Sequence, residues 1–238
     1  MLNRVVYFSL CLSMFNVTAS EKFTFSTGLE TIEQNISIQV LQEAYQKIGL
    51  TTAVLRFPNL RSLVTANSGY VDGEVSRISQ INQRFKNLLQ VPVVINYIEG
   101  YVFASRNTIP IKDWASLRGY KLVCVRGLLF VEQNLSLRSM PCAHVTRFSQ
   151  AVNLLQKKRF DATVFPKLTG LKIIQDLQLN GVFMLDAQLI KVDLFHYLHK
   201  KHKAFLPSIT ATLRVMEESG RIAAIREEFI TNNNLNGS

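Results

Sequence analysis

Arg77 and Arg84 stand out in the stretch GYVDGEVSRISQINQR, downstream of Asp72 and Glu74. A guanidinium is a planar, permanently charged fork, and its chemistry is bidentate recognition of a carboxylate or phosphate. Its alternative employment is an ion pair: Glu74 is near enough in sequence to hold Arg77 in a surface pair worth under about 1 kcal/mol. Arg126-Gly127 follows the apolar run KLVCV and precedes a helical pattern. A glycine at a strand-to-helix turn leaves backbone N–H groups open at the helix start, which can cradle an anion. Among the histidines, His199 and His202 lie close together in HKKHK. Without a carboxylate or cysteine beside them in sequence they do not make a metal pattern. No G-x-S-x-G, H-E-x-x-H, P-loop or G-x-G-x-x-G occurs, so neither a hydrolytic nucleophile nor a nucleotide cofactor is announced. An enzyme would need a carboxylate facing a cleft, and Glu74, Glu99 and Asp186 are its candidates.

The elements that must position these groups are legible from apolar periodicity. Lys22 to Ser26 alternates as a short strand. Ile36, Val40, Leu41, Ala44, Tyr45 and Ile48 form one face of a helix closed by Gly49. Thr51 to Phe57 is a second strand, Leu60 to Asn67 a helix, and Val71 to Ser76 a third strand. This βαβα order predicts a parallel sheet covered by helices, with ligands at the carboxyl ends of the strands. Leu88 to Ile95 and Tyr101 to Ser105 read as two further strands, with Pro92 at a strand start or bulge. Lys121 to Val125 is a buried strand before a helix from Leu129 to Leu135. His144 to Phe148 is a short strand or turn, and Ser149 is the expected N-cap of a helix to Lys157. A strand near Ala162 to Phe165, a helix from Leu168 to Leu177, strands Gly181 to Leu185 and Leu189 to Leu194, and two closing helices complete the chain.

Composition sets the outer limits. The chain has 238 residues, 47% hydrophobic and 18% charged, which suits a packed globule. Lys plus Arg number 27 against 17 Asp plus Glu, a net charge of +10. The basic residues are scattered, so nucleic acid, an anionic membrane and an anionic ligand compete with an ordinary basic surface. Residues 1–20 carry Arg4, an apolar run from Val5 to Phe15 and small residues at Val17-Thr18-Ala19, the pattern of a cleaved export signal. Loss of that segment removes Arg4 and no acid, taking +10 to +9. Export conflicts with a nucleic-acid role. Cys11 leaves with the signal; Cys124 and Cys142 remain, either as a disulfide or as two buried thiols.

Taken in order, these motifs resemble the bacterial extracellular solute-binding proteins of family 3. Gly69-Tyr70-Val71-Asp72-Gly73-Glu74 and the span from Arg84 to Pro92 match the family's run of helix, G-x-x-D-G, Arg, Pro and strand. Lys112 to Gly119 resembles the opening of its second lobe, and Lys158 to Phe165 its G-R-x-D-A strand entry. The resemblance spans nearly the whole mature chain. It implies a two-lobed type II periplasmic-binding-protein fold, α/β in class. Lobe one would be residues 21–105 plus 196–238, and lobe two 106–195. Two strands, near Phe103 to Asn107 and Lys191 to Phe195, would cross between them.

By the same resemblance Arg84 would hold a ligand carboxylate, and Arg77 matches the D-G-E-x-x-R of many orphan relatives. Arg126 and Lys167 would face the cleft, with the Gly127 turn as its anion cradle; Tyr101 and Phe165 would wall it, and Thr27 to Glu30 would lie beside it. Ile81 stands where the family often has Thr, and Pro166 stands where it usually has the carboxylate that holds an amine. Both departures argue against a standard α-amino acid. The expectation is a monomeric periplasmic binding protein for a small anionic or carboxylate-bearing ligand. It would serve an inner-membrane importer or sensor, with no catalysis, cofactor, metal or nucleic acid. The runner-up is a dehydratase- or lyase-like enzyme on the same scaffold.

Overall fold

A computed structural model describes residues 22–28 and 30–235 of the chain. The expected export signal lies outside the described residues. In the first half, β1 (Lys22–Thr27), α1 (Ile32–Lys47), β2 (Thr51–Arg56), α2 (Asn59–Asn67) and β3 (Gly73–Arg77) alternate, and the long strand β4 (Leu88–Ala104) follows. Then come β5 (Val123–Val125), α3 (Leu129–Leu137), β6 (Ala143–Val145), α4 (Phe148–Gln156), β7 (Ala162–Pro166) and α5 (Lys167–Asp176). A second long strand, β8 (Phe183–His199), leads to α6 (Leu206–Glu218) and α7 (Arg221–Asn232).

The main sheet has the order β2-β1-β3-β8-β4-β7. Strand β1 is parallel to both β2 and β3, as the βαβα pattern requires. The long strands enter antiparallel: β8 against β3, β4 against β8, and β7 against β4. A parallel pair, β5 with β6, is attached through a parallel bridge from Leu122 to Ala162.

Strands β4 and β8 are 17 residues each and pair from Leu88 opposite His199 to Ala104 opposite Phe183. The sequence reading divides each into two shorter strands. The polar residues Asn96 and Glu99 interrupt the apolar run of β4, and Asp186 and Gln188 do the same in β8. Backbone hydrogen bonding does not require apolar side chains, so the ladder continues through them. Pro92 falls where the β4–β8 register shifts between Gln90 and Val94, the bulge that a residue without an N–H demands.

Each long strand joins two cores. Val91, Val93 and Ile95 of β4 pack with Phe23, Phe25, Val40 and Tyr45 in a first core, which also takes Leu198 of β8. Val102, Phe103 and Ala104 pack with Val123, Phe148, Leu155 and Phe165 in a second, which also takes Leu185 and Ala187. The helical stripe of α1 is buried as its spacing requires: Ile36, Val40, Ala44 and Tyr45 are all fully covered.

Two local details differ from expectation. Helix α4 starts at Phe148 with Arg147, not Ser149, at the N-cap. The Gln150 side chain reaches back to accept from the N–H groups of Thr146 and Arg147, and this fixes the start two residues early. Cys124 and Cys142 are joined in a disulfide, with Cα atoms 6.0 Å apart. That settles the choice between bonded and free thiols.

Candidate functional site

The carboxyl ends of β1, β2 and β3 from the first core meet the ends of β5 and β7 from the second. Arg77 is the last residue of β3, and it does not sit in a surface pair. Its Nε donates to Glu74 Oε1 at 2.8 Å, and its Nη2 lies 2.7 Å from the same oxygen. Glu74 is wholly buried, and its other oxygen accepts from the hydroxyls of Ser26 and Ser62, each at 2.6 Å. Removing two charges from water is tolerated only with such full pairing. The guanidinium is thus neutralised from behind.

From the front, Arg77 meets Asn59, the first residue of α2. Nη1 donates to Asn59 Oδ1 at 3.2 Å and Nη2 to the Asn59 carbonyl at 3.3 Å. The other end of the same carboxamide crosses to the second half of the molecule, where Asn59 Nδ2 donates to the Gly127 carbonyl. Two glycines make room for it. A Cβ on Gly28 would fall 1.8 Å from Asn59 Oδ1 and 2.6 Å from Arg77 Nη2. Gly127 has a φ of +88°, a left-handed conformation that costs a side-chain-bearing residue strain.

Asn59 and Gly127 border two cavities. The inner one, about 80 Å³, is lined mainly by Leu63, Ile78, Ile81, Ile98, Leu128, Phe130, Pro166 and Leu194. Its polar members are already engaged: Gln34 Oε1 accepts from Thr27 and Ser76 hydroxyls, both at 3.0 Å. The outer one, about 620 Å³, opens between Arg56, Phe57 and Leu60 on one side and Arg126 and Thr146 on the other. Glu30 is the one acidic residue lining either cavity among the described residues.

A second bridge joins the halves on α1 and α5. Glu33 Oε1 accepts from the Leu168 N–H at 3.1 Å, and Oε2 from the Thr169 hydroxyl at 2.6 Å. The Ile32 N–H donates back to Thr169 at 2.9 Å. Burial pushes the Glu33 carboxyl above its ordinary range; Thr169, backbone N–H groups and the charge of Arg226 pull it down without cancelling that effect. Beside this bridge, buried Arg226 of α7 donates to Asn96 Oδ1 at 2.6 Å and lies 3.9 Å from the Tyr97 ring centre. It fastens α7 to the middle of β4. Sequence reasoning missed Glu33, Asn59 and Arg226. A helix-opening acid and a helix-opening Asn are common capping residues, and nothing local says that these two reach another element.

The candidates read from the sequence are distributed as follows. Arg77 and Gly127 line the inner cavity, and Gly127 with Arg126 lines the outer. The Gly127 N–H is not an open cradle: it donates to Glu132 Oε1 at 2.9 Å. Arg84 lies outside both cavities, exposed, with its guanidinium 5.5 Å from the Phe85 ring centre. Phe165 is fully buried against Phe103 and Phe148 and walls nothing. Tyr101 donates to Gln188 at 3.2 Å, and Lys167 sits 5.3 Å from its ring centre; neither lines a cavity. The three carboxylates that were candidates for an enzyme's cleft acid are engaged or remote. Glu74 holds Arg77, Glu99 lies 3.7 Å from Arg226, and Asp186 is exposed and lines neither cavity. His202 does find a carboxylate, Asp72 at 2.6 Å, but no group of three metal-ligating side chains forms among the described residues.

No family model matches the chain. An uncharacterized protein of Shewanella oneidensis is 24% identical over 195 residues, covering 79% of this chain and 74% of that protein. Among solved structures, the GluR0 ligand-binding core in complex with L-glutamate superposes with a TM-score of 0.76, at 13% identity, over 89% of this chain and 99% of that one. A histidine kinase sensor domain with similarity to periplasmic binding proteins gives 0.74, at 17% identity, over 89% and 96%. The amino acid ABC transporter substrate-binding protein AbpA from Streptococcus pneumoniae, bound to L-arginine, gives 0.73, at 12% identity, over 89% and 95%. At these identities the likeness is one of fold. The chain has the two-lobed, mixed α/β periplasmic-binding-protein architecture that its motif order resembles.

Proposed function

We propose that this chain, built on the two-lobed fold of the solute-binding proteins, is a periplasmic receptor that captures a small carboxylate-bearing solute between its lobes without turning it over. The observation that carries the reading is the Asn59 carboxamide, which ties Arg77 of one half to the Gly127 carbonyl of the other across a cleft. A side chain that touches both halves at the carboxyl ends of their strands lies where closure is sensed, and closure is what a membrane partner reads.

One lobe comprises the chain up to the middle of β4 together with the end of β8 and all that follows; the other is the chain between. We set the first boundary near Gly100 in place of residue 105, since Val102 to Ala104 pack in the second core. The hinge is the paired middle of β4 and β8, around Asn96 to Tyr101. The carboxylate preference rests on Arg56 and Arg126, which flank the outer cavity from opposite lobes. It no longer rests on Arg84. The partner is an inner-membrane importer or sensor, since both kinds of protein share this fold among the neighbours.

Isothermal titration against a panel of carboxylates, peptides and polyamines tests the reading. Carboxylates are expected to bind, with a compaction visible in small-angle X-ray scattering. Tight binding confined to polycations overturns it.

A further inference from the structure

Resting on that receptor reading, we infer that the solute is an amphipathic monocarboxylate: its apolar tail fills the inner cavity and its carboxylate meets Arg56 and Arg126 in the outer one. The two cavities are adjoining but chemically opposite. The inner one is walled by aliphatic and aromatic side chains, and its single charged group, Arg77, is already matched by buried Glu74 at 2.7 Å. A second carboxylate entering there would lose its hydration without finding an uncompensated cation. The outer cavity carries two arginines against one acid, Glu30. Arg56 gives one donor to Asn35 at 2.7 Å, and the Arg126 side chain makes no hydrogen bond among the described residues. Both guanidinium groups therefore retain donors for a carboxylate.

The same arrangement disfavours the other small anions. An α-amino acid would set its ammonium beside its carboxylate in the outer cavity, where two arginines outnumber the one acid, Glu30. A dicarboxylate or phosphate ester brings a second charge that only the outer cavity suits. Asn59 stands at the boundary, since it lines both spaces. A tail passing inward displaces its carboxamide from Gly127, so Asn59 sets how deep the ligand reaches.

The test is calorimetry of the mature chain with straight-chain carboxylates from acetate to decanoate, their methyl esters, glutamate, arginine and succinate. Affinity is expected to rise roughly three- to fourfold per methylene until the inner cavity is full, then to level. Methyl esters are expected to bind at least tenfold more weakly. The exposed pair Arg56→Ala with Arg126→Ala should lower carboxylate affinity at least tenfold while keeping the chain-length slope. Ile81→Ser should flatten the slope while keeping the acid-over-ester preference. Circular dichroism of both variants shows that they are folded. Affinity independent of chain length, or tighter binding of glutamate, arginine or succinate than of octanoate, overturns the amphipathic class and leaves the receptor reading standing. Binding of none of these solutes defeats both.

Discussion

The Glu74 carboxylate, fully buried, lies 2.7 Å from the Arg77 guanidinium, which lines the inner cavity. Removing one partner leaves the other charged and uncompensated in the interior. Glu74→Gln is expected to cost about 3–5 kcal/mol of stability, read by urea denaturation. Arg77→Met combined with Glu74→Gln should cost clearly less than the sum of the two single changes. Additive costs would mean that the two groups act separately.

Arg84 is where a family-based reading would look first for the ligand carboxylate. In the fold it is exposed and lies against Phe85, away from both cavities. Arg84→Ala is expected to leave solute affinity within twofold by titration. A tenfold loss would return it to the site.

Gly28 packs under the Asn59–Arg77 contact, where a Cβ would meet Asn59 Oδ1 at 1.8 Å. Gly28→Ala must push the carboxamide away from the guanidinium. The expected result is a modest stability cost, on the order of 1–2 kcal/mol for the displaced hydrogen bonds, with a weaker tendency to close. Scattering profiles should then fit a more open average than the parent chain.

The disulfide between Cys124 and Cys142 spans 18 residues, including α3. By the chain-entropy argument, such a loop contributes about 3 kcal/mol. Replacing both cysteines by alanine is expected to lower the denaturation midpoint accordingly, and reductant should then have no further effect on the variant.

His196 is buried, with Nδ1 facing the carbonyls of Glu74 and Val75 at 2.9 and 3.1 Å. Carbonyls only accept, so Nδ1 carries the proton and Nε2 accepts from the Tyr45 hydroxyl at 3.0 Å. Burial lowers the imidazole to about 4 from an ordinary 6.5. Between those values the unfolded chain takes up a proton that the folded chain refuses. Stability therefore falls as pH drops through that window, by up to about 3 kcal/mol. Glu33, raised by burial, acts in the opposite sense: it holds its proton longer when folded, so its contribution fades as pH rises above 4.5. Comparing His196→Gln with the parent isolates the histidine. The parent should show the steeper loss between pH 6.5 and 4, measured by denaturant titration at each pH.

Local sequence was sufficient for most of the elements and for their order. The spacing of Ile36, Val40, Ala44 and Tyr45 can bury only as a helix, and the alternation in Lys22 to Ser26 only as a strand. The succession of such units leaves few ways to build a sheet. Cys124 and Cys142 were visible as a pair, though not as a bond. What the chain's own residues could not reveal was set by distance in space. Whether Arg77 is free or matched depends on Ser26 and Ser62 delivering Glu74 buried behind it, and these come from separate elements. Whether Phe165 walls a cleft or fills a core depends on Phe103 and Phe148 arriving from other strands and helices. Strands β4 and β8 looked broken because their polar middles pass between two cores, a fact with no local signature. The meeting of Asn59 with Gly127 is likewise tertiary: periodicity reports which face of an element is buried, whereas a cleft is made where two independently folded faces are brought together.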